Sequence, residues 1–284
     1  MKFVSKAVLV TLLGFSFISA VSAKSIYYTN ENGVEMTRAE YEKMVDIFSE
    51  RKTRNLTQDE FDKYNEKEIA DSSAVYQKVT YEDGEVIKEE EISEEEFNNA
   101  KEFENSCTPY SDTDQAHETA YKRLSAYLYT DNSVLAILTW KKVPYVRSYD
   151  VFGMRFQYFN YTSFQGAQDY YVGTKRTRIN YDMSSPGFKA QSTGWGVSMN
   201  LKDGLDITGY DMIVETQLQV QNTNSTLAHA YISYQHAQAD LTREQSMSYS
   251  MSISGLGSVF YYSNASIRDT YDDMTGLHLL RHLS

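Results

Sequence analysis

The chain has one cysteine, Cys107, and three prolines in 284 residues. A lone thiol cannot close a disulfide within the chain, so buried apolar area has to supply the stability. HExxH, paired CxxC, GxSxG, P-loop and GxGxxG patterns are all missing, which removes the short signatures of zinc proteases, zinc ribbons, α/β-hydrolases and nucleotide-binding enzymes. Cations are scarce too: 27 Lys and Arg stand against 39 Asp and Glu, a net charge of −12. An acidic surface repels phosphate backbones and anionic lipid headgroups, so neither nucleic acid nor an anionic membrane is an expected partner. After residue 23 no apolar run approaches the ~20 residues that cross a bilayer.

The opening stretch, MKFVSKAVLVTLLGFSFISAVSA, has basic Lys2 and Lys6, an apolar run from Ala7 to Ile18, and small residues at Ser22 and Ala23. This is the layout of a secretory signal peptide over residues 1–23. The expectation is a secreted, extracellular protein whose mature chain begins near Lys24.

Charge and periodicity divide the remainder. Residues 24–106 hold 11 basic and 23 acidic side chains, whereas 107–284 hold 14 and 16. In the acidic part, Asn32-Gly33 and Asp83-Gly84 mark hairpin turns, because both positions tolerate positive φ. Three similar segments, MTRAEYEKM from Met36, LTQDEFDKY from Leu56 and ISEEEFNNA from Ile92, repeat one outline. In each, a Ser or Thr precedes a Glu by three residues, with apolar residues placed to staple the turn. The outline predicts three helix starts rather than a ligand-reading motif. Beyond Cys107, alternation with period two takes over, as in VRSYDVFGMRFQYF, IVETQLQVQ and SMSYSMSIS. Such runs predict half-buried antiparallel strands. The expected fold is mainly β: an acidic α+β region at 24–106, a linker at 107–120, and a jelly-roll-like antiparallel β-sandwich at 121–284.

The segment YYTNENGVEMTRAEYEKM, Tyr27 to Met44, resembles the mature start of uncharacterised secreted proteins of Gram-positive bacteria, which share a YYTNxxGVxMTxxEY opening. The resemblance implies bacterial secretion and a two-part layout. It implies no activity and no site residues.

Candidate sites follow from chemistry alone. Asp150 shares a strand face with Phe152, Met154 and Phe156, where a carboxylate must be paired or functional; pairing with Arg147, or a place near the strand's exposed end, is the structural reading. With Glu215 it forms the carboxylate pair a glycoside hydrolase would need. Two acidic loops are candidates for calcium, one with Asp203, Asp206 and Asp211, the other with Asp269, Asp272 and Asp273. Turn chemistry accounts for both loops equally well. No other cofactor is expected. His278 and His282 stand four apart, as on one face of a helix, without a third metal ligand near them. The chain has 24 tyrosines, and Tyr158, Tyr161, Tyr170 and Tyr171 fall in segments expected to be loops or outer faces. Exposed tyrosines provide stiff contact area with a polar tip. The expectation is therefore a non-enzymatic extracellular module that binds glycan or protein. A glycan hydrolase and a structural or assembly protein are the alternatives.

Overall fold

The computed structural model describes residues 25–100, 119–204, 206–251, 258–272 and 274–283. The expected signal peptide, Cys107 with most of the linker, the end of SMSYSMSIS and Asp273 lie outside the described residues. Strands β1 (Tyr28–Thr29) and β2 (Glu35–Met36) form a hairpin in which Gly33 has φ +79°. Helices α1 (Arg38–Ile47), α2 (Glu50–Thr53) and α3 (Gln58–Asn65) follow. Thr37 with Glu40 and Thr57 with Glu60 make reciprocal capping boxes. The second hairpin, β3 (Ile69–Glu82) and β4 (Glu85–Ile92), turns through Asp83 and Gly84, both at positive φ. Helix α4 (Glu94–Asn99) is the third copy of the outline, with the Ser93 hydroxyl accepting from the Glu96 N–H.

The rest is mostly strand: β5 (Thr119–Tyr129), β6 (Ser133–Lys142), β7 (Tyr149–Gln157), β8 (Phe159–Val172), β9 (Lys175–Asp182), β10 (Phe188–Gln191), β11 (Gly194–Asn200), β12 (Gly209–Val220) and β13 (Leu227–Gln235). Short elements close the chain: α5 (Arg243–Ser246), β14 (Tyr249–Met251), β15 (Phe260–Tyr262), α6 (Ala265–Arg268) and β16 (Leu277–His282). Two antiparallel sheets carry the architecture. One has seven strands in the order β4-β3-β5-β6-β12-β8-β9, the other five in the order β10-β11-β7-β13-β16. Strands β3 and β4, read from sequence with the acidic region, thus extend the larger sheet, with β3 paired to β5 from Ile69 to Thr80.

Three layers result. Leu124, Leu138, Trp140, Phe152, Met154, Trp195, Met212 and Tyr234 are among the side chains that fill the space between the sheets. On the other face of the seven-stranded sheet, Tyr127, Leu135, Ile137 and Ile213 pack under Met36, Met44, Phe48, Leu56 and Phe61 of the helical layer. A smaller cluster of Val151, Tyr249, Phe260, Ile267 and Tyr271 joins β14, β15 and α6 to the five-stranded sheet.

The expectation of half-buried strands therefore fails at the centre. All eight residues from Ser133 to Trp140 of β6 are buried, and so are all from Lys122 to Tyr129 of β5. The continuous apolar run VLAIL is the pattern of a strand covered on both faces. Leu135 faces the helices and Leu138 the second sheet, each with no exposure. Leu135→Ala and Leu138→Ala should each destabilise by about 2–5 kcal/mol in denaturant titrations. A near-zero cost at Leu135 would mean that the helical layer does not cover it.

Candidate functional site

The helical layer is fixed to the sheet by charge as well as by apolar packing. Helix α2 directs Arg51 and Lys52 at the sheet, and its preceding residue, Ser49, has φ 128°. Lys52 is almost fully buried, and its Nζ reaches Asp169 Oδ2 at 2.9 Å and Glu60 Oε1 at 2.8 Å. Arg178 on β9 makes two bonds to Asp169, Nε to Oδ1 at 2.6 Å and Nη2 to Oδ2 at 2.7 Å. It also lies 2.8 Å from Glu60, and Arg176 Nη1 donates to Glu60 at 2.9 Å. Arg51 stacks over the Tyr171 ring at 4.4 Å and donates to the carbonyl of Trp140 at 3.1 Å. A Cβ on residue 209 would lie 1.8 Å from the Arg51 guanidinium, so any larger residue there would displace that side chain.

Burial would raise the Glu60 carboxyl, but Lys52 and Arg178 outweigh it and hold the group far below its ordinary range. Asp169 is depressed in the same way, with Arg178 and Lys52 overcoming burial. Lys52 is itself lowered, because burial and the two arginines oppose what Asp169 and Glu60 contribute.

Beside this cluster, where α3 stops short of the sheet edge, lies a recess of about 430 Å³. Phe48, Tyr64, Ala167 and Ile213 contribute apolar surface, whereas the Tyr181 side chain packs on the other face of the sheet, against the inter-sheet core. Glu60 and Arg178 lie on its wall, as do Lys63 and Glu215, which form an ion pair. Glu215 also accepts from Tyr64 Oη at 3.2 Å and from Lys67 Nζ at 3.4 Å. Asp182 accepts from the Ser184 N–H and hydroxyl. Among the described residues, the side-chain amides of Gln165 and Asn180 lining this recess make no hydrogen bond to protein. The recess thus combines aromatic surface and free amides with charges that are mostly neutralised in place.

The residues singled out from sequence are dispersed. Asp150 has no exposure and lies in the core between the sheets. It accepts from Tyr234 Oη and from the Ala237 N–H at 3.0 Å, and pairs with His236 Nδ1 at 3.0 Å. Its partner is therefore not Arg147, which pairs instead with Asp203 at 3.1 Å. Glu215 is on the helix-facing side of the seven-stranded sheet, so that sheet separates it from Asp150. The two carboxylates share no cleft.

Tyr171 is fully buried in β8, donating to Asp211 at 2.7 Å, and burial followed by the Asp211 charge drives its phenol well above the ordinary value. Tyr158, Tyr161 and Tyr170 are half-buried against the inter-sheet core. Tyr161 and Tyr170 are nine residues apart on one strand, about 30 Å, so the four rings form no patch. Tyrosine density here reflects strand packing.

The aspartates of the two acidic loops also separate. Asp211 is buried under Arg51, away from Asp203. Asp269 is exposed beside Arg268, whereas Asp272 is buried against Lys122. Among the described residues no group of three or more His, Cys, Asp or Glu side chains is placed to hold a metal ion. His278 and His282 lie on strand β16 rather than a helix, and His278 Nε2 meets His229 Nδ1 at 3.0 Å across the strands. Sequence spacing could not show that pairing, because 49 residues separate the two.

Compared with family models, curated proteins and solved structures, the chain finds no match in any of the three.

Folding depresses the Glu60 and Asp169 carboxyls, so their stabilisation is present above the ordinary carboxylate range and is lost as the pH falls toward the folded values. Between about pH 5 and pH 2 the wild type should lose stability more steeply than Glu60→Gln, measured by chemical denaturation at each pH. Parallel curves would show that Glu60 is not held ionised by this cluster.

Proposed function

We propose that the protein is a non-enzymatic binding module acting outside the cell, and that its ligand is a neutral, hydroxyl-rich glycan held in the recess between α3 and strands β8, β9 and β12. The observation that carries this reading is the pairing of free amides at Gln165 and Asn180 with the aromatic surface of Phe48 and Tyr64. Sugars are bound by such a combination, in which amides exchange hydrogen bonds with hydroxyls and rings cover the apolar sugar face. The charged groups favour a neutral ligand, because Glu60, Arg178, Lys63 and Glu215 already satisfy one another.

Catalysis by glycoside hydrolysis fits the recess poorly. A general acid needs a raised carboxyl, and Glu60 is pushed in the opposite direction. Secretion, inferred from the amino-terminal segment, would place the site where cell-surface polysaccharide is available. Among the described residues no helix is long and apolar enough to cross a membrane.

The mature protein should bind soluble cell-surface polysaccharide fragments in a glycan array and by calorimetry. The double variant Gln165→Ala/Asn180→Ala should weaken binding by about tenfold or more, the loss of one or two hydrogen bonds. Absence of saccharide binding by the wild type, or equal affinity of the double variant, would refute the proposal.

A further inference from the structure

The inter-sheet core holds a second group of ionisable side chains that the recess does not use. Lys122 on β5 and Asp272, just after α6, are both fully buried and in direct contact through Nζ and Oδ2. The ammonium lies 5.2 Å from the centre of the Trp140 ring and 5.8 Å from that of Tyr234. Asp272 is held on its other side: its Oδ1 accepts from the His236 N–H at 2.9 Å, and its own N–H donates to the His236 carbonyl at 3.0 Å. His236 in turn contacts Asp150, and Trp140 Nε1 donates to Tyr234 Oη at 3.0 Å. An amine and a carboxylate are therefore fixed against each other in an aromatic core, with another buried carboxylate in the same hydrogen-bonded network.

We infer that Lys122 and Asp272 condense into an intramolecular isopeptide bond, an amide between Lys122 Nζ and Asp272 Cγ, which links β5 to the segment preceding β16. Three physical arguments support the reaction. Two charges removed from water carry a heavy desolvation penalty, and replacing the ion pair by a neutral amide removes both. Fixed contact turns an intermolecular condensation into a unimolecular one, with a very high effective concentration. The apolar surroundings withhold the water that would hydrolyse the product. Burial also lowers the Lys122 ammonium, against the fields of Glu89 and Asp150, and so favours the neutral, nucleophilic amine.

The atoms balance without a co-reactant. A proton passes from the ammonium to the Asp272 carboxylate, giving amine and carboxylic acid. The nitrogen lone pair attacks Cγ and forms the C–N bond. A proton then moves from nitrogen to a Cγ hydroxyl, the C–O bond breaks, and one water leaves. Asp150, a buried carboxylate whose charge acts on Lys122, is the group assigned to accept and return that second proton.

The consequence would be a covalent clamp in a chain whose single cysteine cannot supply one. It would close a loop of 150 residues and join the seven-stranded sheet to the closing segment of the smaller one.

Mass spectrometry of the purified, denatured wild-type protein tests this directly and does not depend on any variant folding. The expected intact mass is one water below that of the amino-acid sequence, with a branched peptide joining Lys122 to Asp272. Trypsin should fail to cleave after Lys122. Lys122→Arg should restore the full mass, and Asp150→Asn should slow the loss of water in freshly made, folded protein. A wild-type mass equal to the sequence mass, with the Lys122 peptide recovered unbranched, overturns the inference. So does a loss of water that maps to another residue.

Discussion

Two carboxylates, Asp169 and Asp211, stand without exposure on a face of the seven-stranded sheet that also carries Tyr127, Leu135, Ile137 and Ile213. Neither set can be left as it is: the apolar side chains would face water, and the carboxylates would be buried beside too few countercharges. The helical layer answers both needs. Phe48, Leu56 and Phe61 cover the apolar part, while Arg51 and Lys52 project from one short helix onto the two acids. The acidic amino-terminal region is thus a structural layer of the β fold, not an appended spacer.

The same constraint positions the recess. Lys52 and Arg178 hold Glu60, and Glu60 caps α3 through the Thr57 N–H at 3.0 Å. That arrangement sets α3 above β8 and β9 at a spacing that leaves Gln165 and Asn180 uncovered. The recess lies at the margin of the helical layer, where burial is incomplete and polar side chains remain available. Its ion pairs remove net charge from the wall and leave hydrogen bonding and ring contact as the means of recognition.

How much of this the sequence revealed depends on the range of the interactions. Capping boxes and Asn-Gly or Asp-Gly turns involve residues within four positions of one another, so α1, α3 and both hairpins were legible. Period-two alternation located the strands and hence the mainly β class. The third layer was not legible, since alternation in β12 identifies an inner face without showing that Ile213 and Glu215 on the other side are also covered. Nothing in the sequence sets Lys52 and Lys122 apart from other lysines, because their partners lie 117 and 150 residues away. The tyrosines misled for a related reason: a ring that suits a pleated, buried surface looks, in sequence, the same as one offered to a ligand.

The central claim is that the helical layer and the two sheets are one cooperative structure. Hydrogen exchange on the segment from Lys67 onward, compared with the full chain, tests it most directly. Without residues 25–66 the amides of β5, β6 and β12 should lose most of their protection, because one face of those strands and its buried acids are uncovered. Undiminished protection in the truncated protein would contradict the account and make the sheets an independent domain.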